Sequence, residues 1–142
     1  MRVLALDYGS ARCGCAVSDP TGVLATPLDP VLAPDSKRGL KALAELVDEV
    51  GAERVVVGLP LSLAGGDSAQ TRSARGFADT LARRLRVPVE LYDERFTTRL
   101  AQLDDREIGR QGRPRASEDS RAAAHLLSSW LASRAAGGIS SA

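Results

Sequence analysis

The sequence predicts an α/β fold: a mixed sheet of five strands with helices on both faces. Three observations carry this. Charge-free runs at Val3, Leu4, Ala5 and Leu6 and at Val55, Val56 and Val57 read as strands buried on both sides. The first run is followed at once by a tight turn and a second strand, which makes an antiparallel hairpin. The later strands are preceded by stretches with a helical apolar stripe, which makes them parallel.

Taken in order, the first strand (3–6) ends at Asp7, and residues 8–12 turn the chain into a second strand (13–18). Residues 23–28 read as a third strand, placed near an edge by Pro27. Residues 29–34 read as a proline-bearing loop. A helix follows over 36–50, with Leu40, Leu43, Ala44, Val47 and Val50 on one stripe and Gly51 as its stop. Residues 54–59 form the next strand, and Gly58-Leu59-Pro60 opens a loop through Gly65 and Gly66. Asp67 or Ser68 caps a second helix to about Leu85, with Ala74, Phe77, Ala78, Leu81 and Leu85 inward and Arg72, Arg75 and Arg83 on a solvated face. The last strand (89–92) runs into Asp93-Glu94-Arg95. Thr97 or Thr98 caps a short helix, residues 104–116 form a polar loop, and Ser117 caps a final helix to about Arg134. Residues 1–136 are expected to make a single domain, with 137–142 a frayed tail.

Composition narrows the function classes. A chain of 142 residues, 44% hydrophobic, buries a real core without staples. It has no apolar run near the roughly eighteen residues of a membrane span and no basic-then-apolar leader, so a cytoplasmic protein with no membrane partner is expected. Cys13, Cys15 and the single His125 cannot assemble a zinc set. A net charge of +1 gives no global argument for nucleic acid, but the distribution does. All basic residues except Lys37 and Lys41 are arginine, and Arg106, Arg110, Arg113 and Arg115 cluster in one short stretch. Two tyrosines, two phenylalanines and one tryptophan are too few for a base-stacking platform.

The acids carry the chemistry. Asp7 sits at the tip of a central strand, backed by Gly9, where a cation or phosphate could be held; bonding turn amides is the ordinary alternative. On a wheel of about 100° per residue with Asp119 at zero, Ala122, Ala123, Leu126, Leu127 and Trp130 fall between roughly −60° and +80°. Asp119 therefore sits in the middle of an apolar face, where an unpaired carboxylate is costly. A helix-dipole role explains Glu118 better than Asp119. Strand alternation does not choose between Asp93 and Glu94, and Arg95 could simply pair with either. If Asp7, one of this pair and Asp119 converge, they cannot all stay ionised without a cation, and hard oxygen donors favour Mg²⁺ or Mn²⁺. Two such ions would define a metal-dependent nuclease.

The stretches LALDYGSARCGCAVSD, VVVGLPLSLAGG, YDERFTT and EDSRAAAHLLSSWL, in this order, resemble the four signatures of the YqgF-type family of Holliday-junction-resolvase-like, pre-16S ribosomal RNA nucleases. The resemblance covers residues 1–132. It implies a ribonuclease-H-like fold and a cytoplasmic hydrolase that processes the 5′ end of pre-16S ribosomal RNA in ribosome biogenesis. It also implies Asp7, Glu94 and Asp119 as catalytic and metal-binding acids, and Arg12 and Arg95 as phosphate contacts. Phe96 stands where the family more often has leucine, and the loop 104–116 is richer in arginine than expected; neither touches the acids.

Branched DNA, as in a Holliday-junction resolvase, is the alternative substrate; a two-fold junction would ask for a homodimer, which nothing in the sequence shows. A non-catalytic RNA-binding module of the same fold is the alternative from another class, and retention of all three acids argues against it. An actin-like ATPase would need two such domains, and the chain provides one. The sequence leaves open cleavage position, metal preference, oligomeric state and whether Asp93 assists Glu94. The arginine cluster generates a direct test. Replacing Arg110, Arg113 and Arg115 by alanine should weaken nucleic-acid binding and flatten the slope of log K against log salt, because counterion release follows the phosphates contacted. An unchanged slope would remove these residues from the binding surface.

Overall fold

The computed structural model describes residues 1–61, 68–96 and 118–137. Strands β1 (Val3–Asp7), β2 (Arg12–Ser18), β3 (Ala25–Leu32), β4 (Arg54–Leu59) and β5 (Val89–Asp93) form one sheet in the order β3-β2-β1-β4-β5. β1–β2 and β2–β3 are antiparallel, whereas β1–β4 and β4–β5 are parallel. Three helices are described, α1 (Lys37–Val50), α2 (Ala69–Arg84) and α3 (Glu118–Gly137), with a 3₁₀ turn at Glu94–Phe96 after β5. None of the described helices is long and apolar enough to cross a membrane.

β1 is apolar along its whole run because both of its faces are covered. Leu4 and Leu6 pack with Leu43 and Val47 of α1 and Phe77 and Leu81 of α2. Val3 and Ala5 face the other way, against Ala123, Leu127 and Trp130 of α3. Each buried leucine is worth roughly 1.5–3 kcal/mol, so this sandwich supplies much of the driving force. Glu90 ties β5 to both neighbours, accepting from Arg54 Nη1 at 2.7 Å and from Trp130 Nε1 at 3.0 Å. Cys13 and Cys15 are buried free thiols, as small core residues should be.

The helix ends follow local chemistry. Ser36 Oγ accepts from the Gly39 amide at 2.9 Å, and Gly51, at φ 66°, closes α1 in the left-handed region that glycine enters without a Cβ penalty. Of the two caps expected for α2, Ser68 is in place, forming a reciprocal box with Thr71, while Asp67 lies outside the described residues. Caps at Thr97, Thr98 and Ser117 and the loop 104–116 also lie outside them. α3 continues to Gly137, past the expected end near Arg134; residues 138–142 are not among those described.

The expected loop at 29–34 is corrected. β3 runs on through Asp29 and Pro30 to Leu32. The register shifts between Cys13 and Cys15, which pair with Val31 and Leu28, so Asp29 and Pro30 oppose the single residue Gly14. An edge strand tolerates proline at such a bulge because the missing donor would not have met a partner.

Tyr8 joins three segments. Its ring stacks on Phe77 of α2 with centroids 4.6 Å apart, and its hydroxyl donates to Asp35 Oδ2 just before α1. Burial first, then the bond to Asp35, push the Tyr8 hydroxyl up to about 12. A folded-state value above the ordinary tyrosine value means that this stabilisation is present below about pH 10 and is lost as pH rises towards 12. In a Tyr92→Phe background, ultraviolet titration should show Tyr8 ionising near 12, and Asp35→Asn should bring it only part of the way down, because burial remains. An Asp35→Asn variant with an unmoved titration would show that the Tyr8–Asp35 bond does not form.

Candidate active site

Parallel pairing of β1, β4 and β5 brings their carboxyl ends to one edge of the sheet. Asp7 closes β1 on the parity of Val3 and Ala5, which is the α3 side. Glu94 follows β5 on the parity of Glu90 and Tyr92. Those two also address α3, Glu90 through Trp130 and Tyr92 through a 2.9 Å bond to Ser129 Oγ. Asp7 and Glu94 line a single cavity of about 330 Å³, the pair Gln70 and Ser73 of α2 forming another part of its wall with Ser10 and Pro60.

Gly58 makes the seat for Glu94. A Cβ at this position would lie 2.7 Å from Glu94 Oε1 and 3.0 Å from Leu126 Cδ2, so only glycine leaves room for both. The neighbouring acid is used differently. Asp93 accepts a fork from Arg95, with Nη2 to Oδ2 at 2.7 Å and Nε to Oδ2 at 2.9 Å, and also the Arg95 amide at 2.9 Å. These bonds hold the Asp93 carboxyl below the usual carboxylate range. The structure thus separates two acids that strand alternation alone could not rank: Asp93 is engaged by Arg95, and Glu94 shares the cavity with Asp7.

α3 runs back along the sheet against the direction of β1. Ser120 Oγ accepts from the Cys15 amide at 3.4 Å, at the level of Leu6, whereas Leu131 Cδ2 and the Met1 carbonyl both lie within 4 Å of where a Cβ on Gly22 would stand, near the start of β1. The first turn of α3 therefore lies at the same edge as Asp7 and Glu94. Position 119 is the second residue of this helix; its carboxylate is outside the described atoms. The helical face differs from the expected one. Ala122 is exposed, whereas Ser120 and Ala124 are fully buried. Ser120, Ala123, Ala124, Leu126, Leu127 and Trp130 centre the inward arc about 60° away from position 119. The described inward face is thus centred away from helix position 119, because it includes the small residues Ser120 and Ala124, which are fully buried.

Arg12 is exposed at the start of β2, and Arg95 is exposed beside Asp93. Arg110, Arg113 and Arg115 lie outside the described residues. Among the described residues no three His, Cys, Asp or Glu gather to hold an ion, so Asp7 and Glu94 form a pair of hard oxygen donors. Gln70 and Ser73 were not visible as site residues in the sequence. The signal available was a polar i, i+3 pair opening the helix that follows the Gly58-Leu59-Pro60 strand end.

Mixed sheet, helical layers and a pair of acids at the carboxyl edge define a ribonuclease-H-like resolvase fold. Among solved structures, Thermus thermophilus RuvC in complex with a Holliday junction substrate superposes with a TM-score of 0.67 at 18% identity, over 96% of each chain. A sequence model of the family RuvX, Holliday junction resolvase, matches residues 1–133, and the chain belongs to that family of nucleases. Relatives carrying the name "Putative pre-16S rRNA nuclease" include one from Mycolicibacterium paratuberculosis, 47% identical over 137 residues (95% of this chain, 82% of that one). Another, from Maridesulfovibrio salexigens, is 38% identical over 133 residues, covering 93% of this chain and 98% of its own.

The Gly58 seat yields a test. Gly58→Ala should displace the Glu94 carboxylate, the more mobile of the two groups it meets, and cost roughly 1–3 kcal/mol of stability by overpacking. Cleavage should fall at least about tenfold, since a catalytic group misplaced by 1 Å can cost on the order of a hundredfold. A variant that melts lower yet cleaves at the wild-type rate would show that Glu94 need not occupy this seat.

Proposed function

We propose that this nuclease, as a single domain over residues 1–136, trims the 5′ end of pre-16S ribosomal RNA in the cytoplasm, with Asp7, Glu94 and Asp119 as its catalytic acids. The observation that carries the reading is that Asp7 and Glu94, far apart in sequence, line one cavity at the carboxyl edge of the sheet. Relatives named for pre-16S rRNA along nearly the whole chain support the substrate. The family description supports branched DNA as the second reading.

Carboxylate oxygens with no histidine or cysteine beside them suit Mg²⁺ or Mn²⁺, and Asp7, Glu94 and Asp119 are the residues that would hold one or two such ions. When bound, ions of this kind supply an activated water and neutralise charge on the departing oxygen of a phosphodiester. The protein's own part is to hold the acids at one edge and keep their carboxylates aimed at a common point. Gly58 does this for Glu94 by leaving space, and the β1–β4 pairing does it for Asp7. Arg12 and the loop arginines Arg110, Arg113 and Arg115 are assigned to substrate phosphates. Arg95, with Nε and Nη2 on Asp93, would offer its Nη1 edge.

Asp119→Asn separates a catalytic from a capping role. With three converging acids, the metal-free variant should be as stable as wild type or more so, since one repelling charge is gone at nearly constant shape. Mg²⁺ or Mn²⁺ should raise its melting temperature less than that of wild type, and cleavage should fall by orders of magnitude. A capping carboxylate would instead give a variant that is less stable in EDTA by up to about 1 kcal/mol and cleaves normally. That second result would remove Asp119 from the site. Running the assay on precursor RNA beside a four-way DNA junction decides between the two substrates.

A further inference from the structure

The cavity has two chemically different walls. Among the described lining residues, the charge is entirely acidic, from Asp7 and Glu94, and no lysine or arginine is present. Among the described lining residues, therefore, no basic side chain is offered to a phosphate beyond the one that any metal held by the acids would bind. The α2 part of the lining is neutral and polar: Gln70 and Ser73 come one helical turn apart from α2, and both are exposed. That wall is fixed in place. Thr71, fully buried between them in sequence, donates to the Pro60 carbonyl at 2.6 Å and closes the capping box with Ser68. The one aromatic ring in the lining, Tyr8, is stacked on Phe77 with its hydroxyl given to Asp35, so it is not poised to stack a base. At about 330 Å³ the space is at the small end of ligand pockets, suited to one nucleotide unit rather than a duplex.

We propose that Gln70 and Ser73 form a sugar-reading wall that hydrogen-bonds the ribose 2′-hydroxyl of the nucleotide next to the scissile phosphate. The proposal rests on the nuclease reading above and deepens it by naming what the site discriminates. An amide and a hydroxyl can each donate and accept, which matches a 2′-hydroxyl, itself both donor and acceptor. Deoxyribose offers only a C–H there, so the hydrogen bonds to the sugar are lost and only water can take their place. Hydrogen bonds of this kind are worth about tenfold in discrimination.

The test uses two oligonucleotides of one sequence and one fold, differing only in ribose or 2′-deoxyribose at the nucleotides flanking the cut, assayed with Mg²⁺ or Mn²⁺. Wild type should show a kcat/KM ratio of about ten in favour of ribose. Gln70→Ala together with Ser73→Ala should bring the ratio close to one, with an unchanged melting temperature because both positions are exposed. Ser73→Thr, which keeps the hydroxyl, should retain more of the ratio than Ser73→Ala. A wild type that cleaves both substrates equally overturns the proposal, as does a double variant that keeps the full ribose preference or loses activity on both sugars in equal proportion. Absence of cleavage on either oligonucleotide is a different failure: it overturns the nuclease reading, and the sugar-reading role with it.

Discussion

Everything at the site depends on the parallel pairing of β1 with β4 in the dry centre of the sheet. Leu4, Ala5 and Leu6 sit opposite Val55, Val56 and Val57, and none of these side chains is more than 1% exposed. Because strand side chains alternate, a slip of one residue would exchange the two faces of β1. Leu6 would turn towards α3, and Asp7 would turn into the layer formed by α1 and α2, away from Glu94. Burial on both faces makes any such slip expensive. The hydrophobic effect, which has no direction of its own, thereby fixes the direction of a carboxylate.

The same alternation resolves an electrostatic conflict. Asp93 and Glu94 are neighbours in sequence, and two adjacent charges aimed at one point would repel. The end of β5 sends them to opposite sides. Arg95, two residues on, answers Asp93 locally through a fork between a partly exposed guanidinium and a largely covered carboxylate. Glu94 is left for the side where Gly58 gives it room and where Asp7 lies.

Much of this was legible in the sequence, for identifiable reasons. Strands β1 and β4 announce themselves because burial on both faces demands unbroken apolar runs. Ser36, Gly51 and Ser68 announce helix ends because only certain side chains and backbone angles satisfy them. The far end of β3 is hidden in the sequence because Pro30, following Pro27, looks like the start of a loop, whereas an edge strand with a bulge accommodates both. The face of α3 was rotated because a wheel counts apolar volume, whereas the closest approach of helix to sheet selects small residues such as Ser120. Gln70 and Ser73 were invisible for a different reason: neutral polar side chains on a helix look like ordinary surface until a cavity is seen beside them.

Trp130 is the only tryptophan in the chain, and it sits where α3 meets the sheet. Its indole N–H is held by Glu90, and the Arg134 guanidinium lies 5.2 Å from its ring. The emission of one fluorophore is therefore set by a carboxylate, a cation and the degree of water exclusion at a single joint. Emission excited selectively at tryptophan is, in this protein, a one-site optical gauge of whether α3 is seated, readable without label.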